Sequence, residues 1–318
     1  RLYDPTTGQL ERFRPEPGRP VRVYVCGITP YDTTHLGHAF TYCVFDVLIR
    51  HFETTHGWRV RYVQNVTDID DDIVRRAREL GVGWRELGKE WTARFTDDLA
   101  ALNLRPPDVY AGATAYVAPM LGHIARLVDG GLAYARDGGV YFRVDADPGF
   151  GRLTGMDRAE MLATANARGN HPDAPRKDDP LDFVLWQPAA PGEPAWHSPW
   201  GPGRPGWHIE CSTLALALLG DRVDIHGGGA DLAFPHHACE MAQSEALVPA
   251  RPWVRWWVHT AMVRMDGEKM SKSLGNLVMV RDLRAAWEPD TIRLYLLRHG
   301  YREAWEWDAR RLAETDAW

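Results

Sequence analysis

Val21-Arg22-Val23-Tyr24-Val25-Cys26-Gly27-Ile28-Thr29-Pro30, followed by His35-Leu36-Gly37-His38, is the stretch whose reading decides the architecture. Its first six residues are rich in β-branched side chains, and Gly27 and Pro30 interrupt them before an apolar periodicity from about Leu36 to Phe52. That pattern predicts strand, loop, helix. Val60 to Val66 reads as a second strand, and Asp68 to Asp72 opens a helix through Leu80, its acids preceding Arg75, Arg76 and Arg78 as the helix dipole favours. Further along, Val223-Asp224-Ile225 leads through three glycines to a helix beginning near Pro235, and Val254 to His259 reads as another buried strand. Strands alternating with helices predict an α/β fold built on a parallel, doubly wound sheet.

The rest of the chain fits around that frame. From Gln187 to Gly206 there are six prolines and four glycines, a composition that cannot continue a helix or a central strand and so predicts a boundary loop. Residues 1–105 are read as the first half of a nucleotide fold, 106–205 as an insertion, 206–264 as the second half, and 265–318 as a loop with a helical extension. At 318 residues, with 45% hydrophobic and 25% charged side chains, the composition is that of a globular protein. No apolar run reaches bilayer length and no secretory signal opens the chain, so a cytoplasmic protein with no membrane partner is expected, a monomer being favoured. The chain begins with Arg1 and stops at Trp318 in what reads as a helix, so further segments are expected at either end. A net charge of −6 argues against a general nucleic-acid binder. The four cysteines are too scattered for a disulfide framework, which leaves reduced thiols or metal ligands.

Three motifs carry chemistry. His35-Leu36-Gly37-His38 falls where a loop becomes a helix, so free backbone N–H groups and the dipole would make an anion site, with Gly37 admitting a close ligand and two imidazoles one turn apart. Taken alone, two histidines at a helix start with no ligand is the commoner meaning. Lys269-Met270-Ser271-Lys272-Ser273 reads as a mobile loop carrying two ammonium groups, which taken alone is a solvated basic turn. His226-Gly227-Gly228-Gly229-Ala230-Asp231 removes three side chains in a row, which would let a base or ribose lie against backbone while Asp231 holds a ribose hydroxyl. Gly201 to Gly206 formally matches a dinucleotide fingerprint, but no strand directly precedes it and it is taken as a false positive.

A fourth cluster resembles a metal site. Cys26 closes the first strand, Cys211 lies in Trp207-His208-Ile209-Glu210-Cys211, and His236 and Glu240 are four apart on one helical face. Two thiolates, an imidazole and a carboxylate suit Zn2+, with His237 and Cys239 as rival ligands and a buried small hydrophobe as the alternative role for each cysteine.

Found in this order across a split α/β fold, the His-Leu-Gly-His and Lys-Met-Ser-Lys-Ser motifs resemble the two nucleotide motifs of class I aminoacyl-tRNA synthetases. With Asn65-Val66-Thr67-Asp68, Gly203 to Ser212 and Asp224 to His237, the chain resembles the cysteine-activating branch from about Val21 to Trp307. The resemblance implies a Rossmann-like parallel sheet with an inserted connective subdomain and a helical C-terminal extension. It also implies one zinc held by Cys26, Cys211, His236 and Glu240, with His237 and Cys239 off the metal. Gly27, Thr67 and Trp207 would surround the substrate cysteine. Thr29, His35, Gly37, His38, Gly227, Gly228, Gly229 and Asp231 would surround the adenylate. Lys269, Ser271 and Lys272 would bind the phosphates, His35, His38, Lys269 and Lys272 being catalytic, with Mg2+ accompanying ATP.

The expected activity is ATP-dependent conversion of L-cysteine to cysteinyl-adenylate. Two acceptors are known in that branch. The mycothiol-pathway ligases form an amide with the amine of glucosaminyl-inositol, and the synthetases esterify tRNA. Ile28-Thr29-Pro30, Phe40, Val258-His259-Thr260 and Gly300-Tyr301-Arg302-Glu303 lean to the small amino-sugar acceptor, which is the expected one, whereas Glu240 and the Asp266 to Asn276 loop lean to tRNA, the alternative. A binding protein that kept the fold and lost catalysis would need damage in a nucleotide motif, and none is visible. The fourteen tryptophans are read as packing groups apart from Trp207, and Asp68 to Asp72 as an acid-rich helix start.

Overall fold

Val21, Val23, Tyr24 and Val25 are all fully buried, as a strand covered on both faces must be. They lie in Val21–Ile28, the middle strand of a five-stranded parallel sheet in a computed structural model that describes residues 1–31, 34–270 and 274–317. The strand order is Val254–Thr260, Val223–Gly229, Val21–Ile28, Val60–Val66 and Val109–Gly112, every neighbour parallel. Alternate side chains of the central strand enter two cores. Val23 and Val25 pack with Phe45, Ile49, Ile292 and Tyr295 under the helices Leu36–Arg50 and Pro289–Leu297. Tyr24 and Cys26 pack with Ile209, Cys211, Ala238 and Trp257 under Trp207–Leu219 and Ala238–Leu247. The doubly wound expectation is therefore met, and the carboxyl ends of the strands, where such sheets bind ligands, converge on one edge.

Boundaries differ for local reasons. The first helix ends at Arg50 and widens into a π turn, His51–Thr55, short of a straight run to Phe52. The acid-rich helix is Asp71–Leu80, because Asp70 is its cap: Asp70 Oδ1 accepts from the Asp72 amide at 2.7 Å. Asp68 instead accepts from the Thr114 amide at 2.8 Å, tying the end of Val60–Val66 to the segment after Val109–Gly112, the fifth strand in that order. That fifth strand, Val109–Gly112, lies beyond residue 105, so the parallel sheet continues into the segment read as an insertion. What stands apart is a four-stranded antiparallel sheet, ordered Ala133–Arg136, Gly139–Phe142, Phe183–Pro188 and Gly203–Pro205.

Two expectations about glycine and proline need correction. The proline-rich stretch is not wholly loop, since Gly203–Pro205 forms a strand; it sits at the sheet edge, where the missing Pro205 donor does no harm. Gly227, Gly228 and Gly229 are not a loop after a strand but the last part of it, opposite Val258, His259 and Thr260. A Cβ at Gly227 would overlap the ring of Phe45, and one at Gly228 the side chain of Leu232. Close packing rather than a ligand removes those two side chains.

Asp46, 3% exposed, binds the first helix to the C-terminal part: it accepts from Arg50 at 2.9 Å, from the Arg105 amide at 2.6 Å and from Arg293. Among the described residues no helix is long and apolar enough to cross a membrane. Gly227→Ala tests the packing account. Phe45 is fully buried and has nowhere to move, so the variant should lose about 1–3 kcal/mol, read as a lower urea midpoint; an unchanged midpoint would refute it.

Candidate active site

A cleft of about 1130 Å³ opens at the carboxyl ends of the parallel strands. Cys26, Gly27, Thr29, His35, Gly37, His38, Trp207, Gly229, Asp231 and Lys269 all line it, although they come from five separate stretches of chain. Gly227 and Gly228 are inside the sheet and do not reach it. Ser271 and Lys272 lie outside the described residues.

On the nucleotide side, His35 is the cap of the first helix, and its Nδ1 accepts from the Gly37 amide at 3.1 Å. The Leu36 amide donates to the Val278 carbonyl at 2.9 Å, and His35 forms an antiparallel bridge with Met279. Two amides expected to face an anion are therefore satisfied within the chain, because the segment following the lysine loop returns to pair with the helix start. What faces the cleft is a stacked pair of imidazoles, the His35 and His38 rings 3.7 Å apart at 26°. Across from them Lys269, at the end of the short strand Glu268–Lys269, donates to Asp231 Oδ2 at 2.7 Å. The residues expected on phosphate and ribose thus hold each other. Both are partly exposed, 47% and 32%, and such a pair is weak enough for a ligand to replace.

Beneath the cleft, donor atoms of Cys26, Cys211, His236 and Glu240 lie within 4.8 Å of one another, all buried. Cys26 Sγ is 3.9 Å from Cys211 Sγ and 3.6 Å from Glu240 Oε1, and His236 Nε2 is 3.1 Å from the same oxygen. Tetrahedral zinc, with bonds of about 2.3 Å to sulfur and about 2.0 Å to nitrogen or oxygen, requires edges of roughly 3.8, 3.5 and 3.3 Å. The donor set fits that ion. Burial pushes the Cys26 thiol and the Glu240 carboxyl well up and the His236 imidazole well down, toward neutral forms, and a divalent cation would favour the ligating forms of all three. Glu240 Oε2 has no hydrogen-bond partner. His208 Nδ1 faces His236 Nδ1 at 2.9 Å, fixing the ring as second partners of metal-binding histidines do.

A second donor group shares two of these residues: Cys26, His226, His237 and Glu240 also lie within 4.8 Å. His237 was a rival from sequence; His226 was not, and its position directly before the glycine run was the only local signal. His237 Nδ1 is engaged with His259 Nε2 at 2.8 Å. Only the first group contains both Cys26 and Cys211, the pairing soft metals prefer. Cys239 belongs to neither group and faces a separate cavity.

The remaining site residues are placed by backbone demands. Gly27 donates to Asn65 Oδ1 at 2.7 Å, and a Cβ there would overlap the Asn65 carbonyl. Thr67, 3% exposed, donates its amide to the Ile28 carbonyl at 2.9 Å and its hydroxyl accepts from Asn65. Trp207 opens its helix, is 40% exposed despite its size, and stacks on His236 at 4.2 Å. Arg168 carries no sequence signal, yet it donates to the carbonyls of Asp231 and Phe234, clamping the end of the glycine strand.

An L-cysteine:1D-myo-inositol 2-amino-2-deoxy-alpha-D-glucopyranoside ligase of Kribbella flavida is 46% identical, covering 100% of this chain and 79% of its own. A cysteine–tRNA ligase of Dehalococcoides mccartyi is 44% identical over 100% of this chain and 70% of its own. Among solved structures, Mycobacterium tuberculosis methionyl-tRNA synthetase bound by methionyl-adenylate shares the fold, with a TM-score of 0.68 at 18% identity over 93% of this chain and 68% of that one. Residues 12–317 match the family described as tRNA synthetases class I (C) catalytic domain, and the chain belongs to that family.

Proposed function

We propose that this protein is a ligase that converts L-cysteine and ATP to cysteinyl-adenylate and pyrophosphate, then joins the cysteinyl group to the amine of glucosaminyl-inositol. One observation carries the activation step: Cys26 belongs both to the buried four-donor group and to the lining of the nucleotide cleft. A metal held by Cys26, Cys211, His236 and Glu240 would therefore border the space where the amino acid must lie. Zinc in that position, taking a fifth ligand beside the four, would supply a direct bond to the substrate sulfur, which a serine hydroxyl matches poorly.

The chain's own residues supply the rest. Thr67 and Trp207 flank the amino-acid end. Asp231 takes the ribose and Lys269 the phosphates of ATP and its Mg2+, so the nucleotide separates the pair that the two form with each other. His35 and His38, stacked at the cleft wall, donate hydrogen bonds to charge growing on the α-phosphate. Lys272 and Ser271 complete the phosphate contacts in this reading.

The small-amine acceptor is supported by the Kribbella relative and by Ile28-Thr29-Pro30, of which Thr29 borders the cleft. The second reading, esterification of tRNA, is favoured by the cysteine–tRNA ligase relative and by Glu240 standing in the donor group.

Cysteine-dependent exchange of labelled pyrophosphate into ATP tests activation. Exchange is expected with cysteine and at least about 100-fold less with serine; equal exchange would defeat the sulfur-binding argument. Supplying glucosaminyl-inositol or tRNA to the activated enzyme then separates the acceptors, since an amide survives mild base and an aminoacyl ester does not. Metal content gives an independent readout. Cys211→Ala should weaken zinc binding by roughly 100-fold or more, measured by competition with a chelator, while Cys239→Ala should retain it. Full affinity in Cys211→Ala would show that His226 and His237 complete the site instead.

A further inference from the structure

A second cavity, of about 460 Å³, adjoins the cleft. The two share five residues, Asp70, Asp71, Arg168, Gly169 and Trp207. None of the nucleotide residues His35, His38, Gly229, Asp231 or Lys269 lines the smaller one, whose walls come largely from the antiparallel sheet and the loop after the Arg158–Asn166 helix. Trp207 stands at the junction. We propose that this cavity is the acceptor subsite, taking a polyhydroxylated primary amine whose nitrogen reaches the adenylate past Trp207 with Asp70 as its proton acceptor. This deepens the function proposed above and rests on it.

The walls select such a ligand. The lining carries Asp70, Asp71, Asn170, Lys177, Arg204 and Glu210, groups that donate beside groups that accept. Hydroxyl groups, each both donor and acceptor, match such a mixed lining. An apolar ligand would leave these polar groups without partners. The volume is that of a small-molecule pocket, toward the low end of about 300–1000 Å³, and suits two sugar-sized rings.

Asp70 borders both spaces and can therefore act where they meet. It faces Asp71 and Asp72 of its own helix start, Arg204 of the edge strand and Glu210 of the Trp207–Leu219 helix. Burial, the largest influence, raises its pKa, which makes it a better proton acceptor than an exposed carboxylate. In the step itself, the ammonium of the acceptor gives one proton to Asp70. The freed lone pair forms the C–N bond to the adenylate carbonyl carbon as the bond from that carbon to the phosphate oxygen of AMP breaks. AMP leaves with the electron pair, and the second nitrogen proton passes to solvent.

Two variants test this, each scored as the ratio of amide formation to pyrophosphate exchange, so that exchange reports a folded activation site. Ala174→Trp fills the far wall and should raise the KM for glucosaminyl-inositol at least about tenfold. Asp70→Asn retains a capping oxygen and should lower kcat for ligation by about 100-fold near neutral pH. That loss should shrink as pH rises toward 9, because more of the amine then arrives unprotonated. Parental ratios in both variants overturn the assignment alone, and a pH-independent defect in Asp70→Asn removes Asp70 as the proton acceptor. A parent protein that exchanges pyrophosphate but forms only aminoacyl-tRNA overturns the acceptor reading above and this subsite with it.

Discussion

Two thiols, an imidazole and a carboxylate drawn from three elements and buried within 4.8 Å of one another are tolerable only in a single arrangement. Each group alone resists burial in its ligating form, and each sits where the others compete for the same partner. Cys26 fixes the end of the central strand, Cys211 the second turn of one helix, and His236 and Glu240 the entry to another. A shift of any one element would strand a buried donor. The cleft above inherits its floor from this packing, since Cys26 belongs to both.

The nucleotide half is organised on the opposite principle. Lys269 and Asp231 are partly exposed, and their ion pair is screened and exchangeable. The first helix start is by contrast closed off, with Gly37 and Leu36 amides already satisfied. In the function proposed above, a rigid, desolvated end for the amino acid and a rearrangeable end for the phosphates suit an enzyme that discriminates a small side chain yet admits and releases a large nucleotide. Arg168 joins the two by holding the Asp231 and Phe234 carbonyls from the inserted part of the chain.

Period and punctuation made much of this legible. Val60–Val66 is found at its expected bounds, and Val21–Ile28 and Val254–Thr260 extend the expected strands by only one or two residues. Strand limits at the glycine run were misread because glycine has no side-chain preference to display; whether Gly227 serves a ligand or yields to Phe45 depends on a helix far away in sequence. The fifth strand, four residues long, has too short a pattern to announce itself.

The sequence alone determined four of the five parallel strands and the helices beside them, the soft and hard donor types, and the two nucleotide motifs, because these depend on residue type and near-neighbour spacing. Tertiary structure decided what distance in sequence conceals. It placed His226 as near Cys26 as the expected donors are, paired Lys269 with Asp231, spent the Gly37 amide on His35, and enclosed a second cavity behind Trp207. Those outcomes follow from how separate elements meet, and contact geometry between distant segments is not a property of any local stretch.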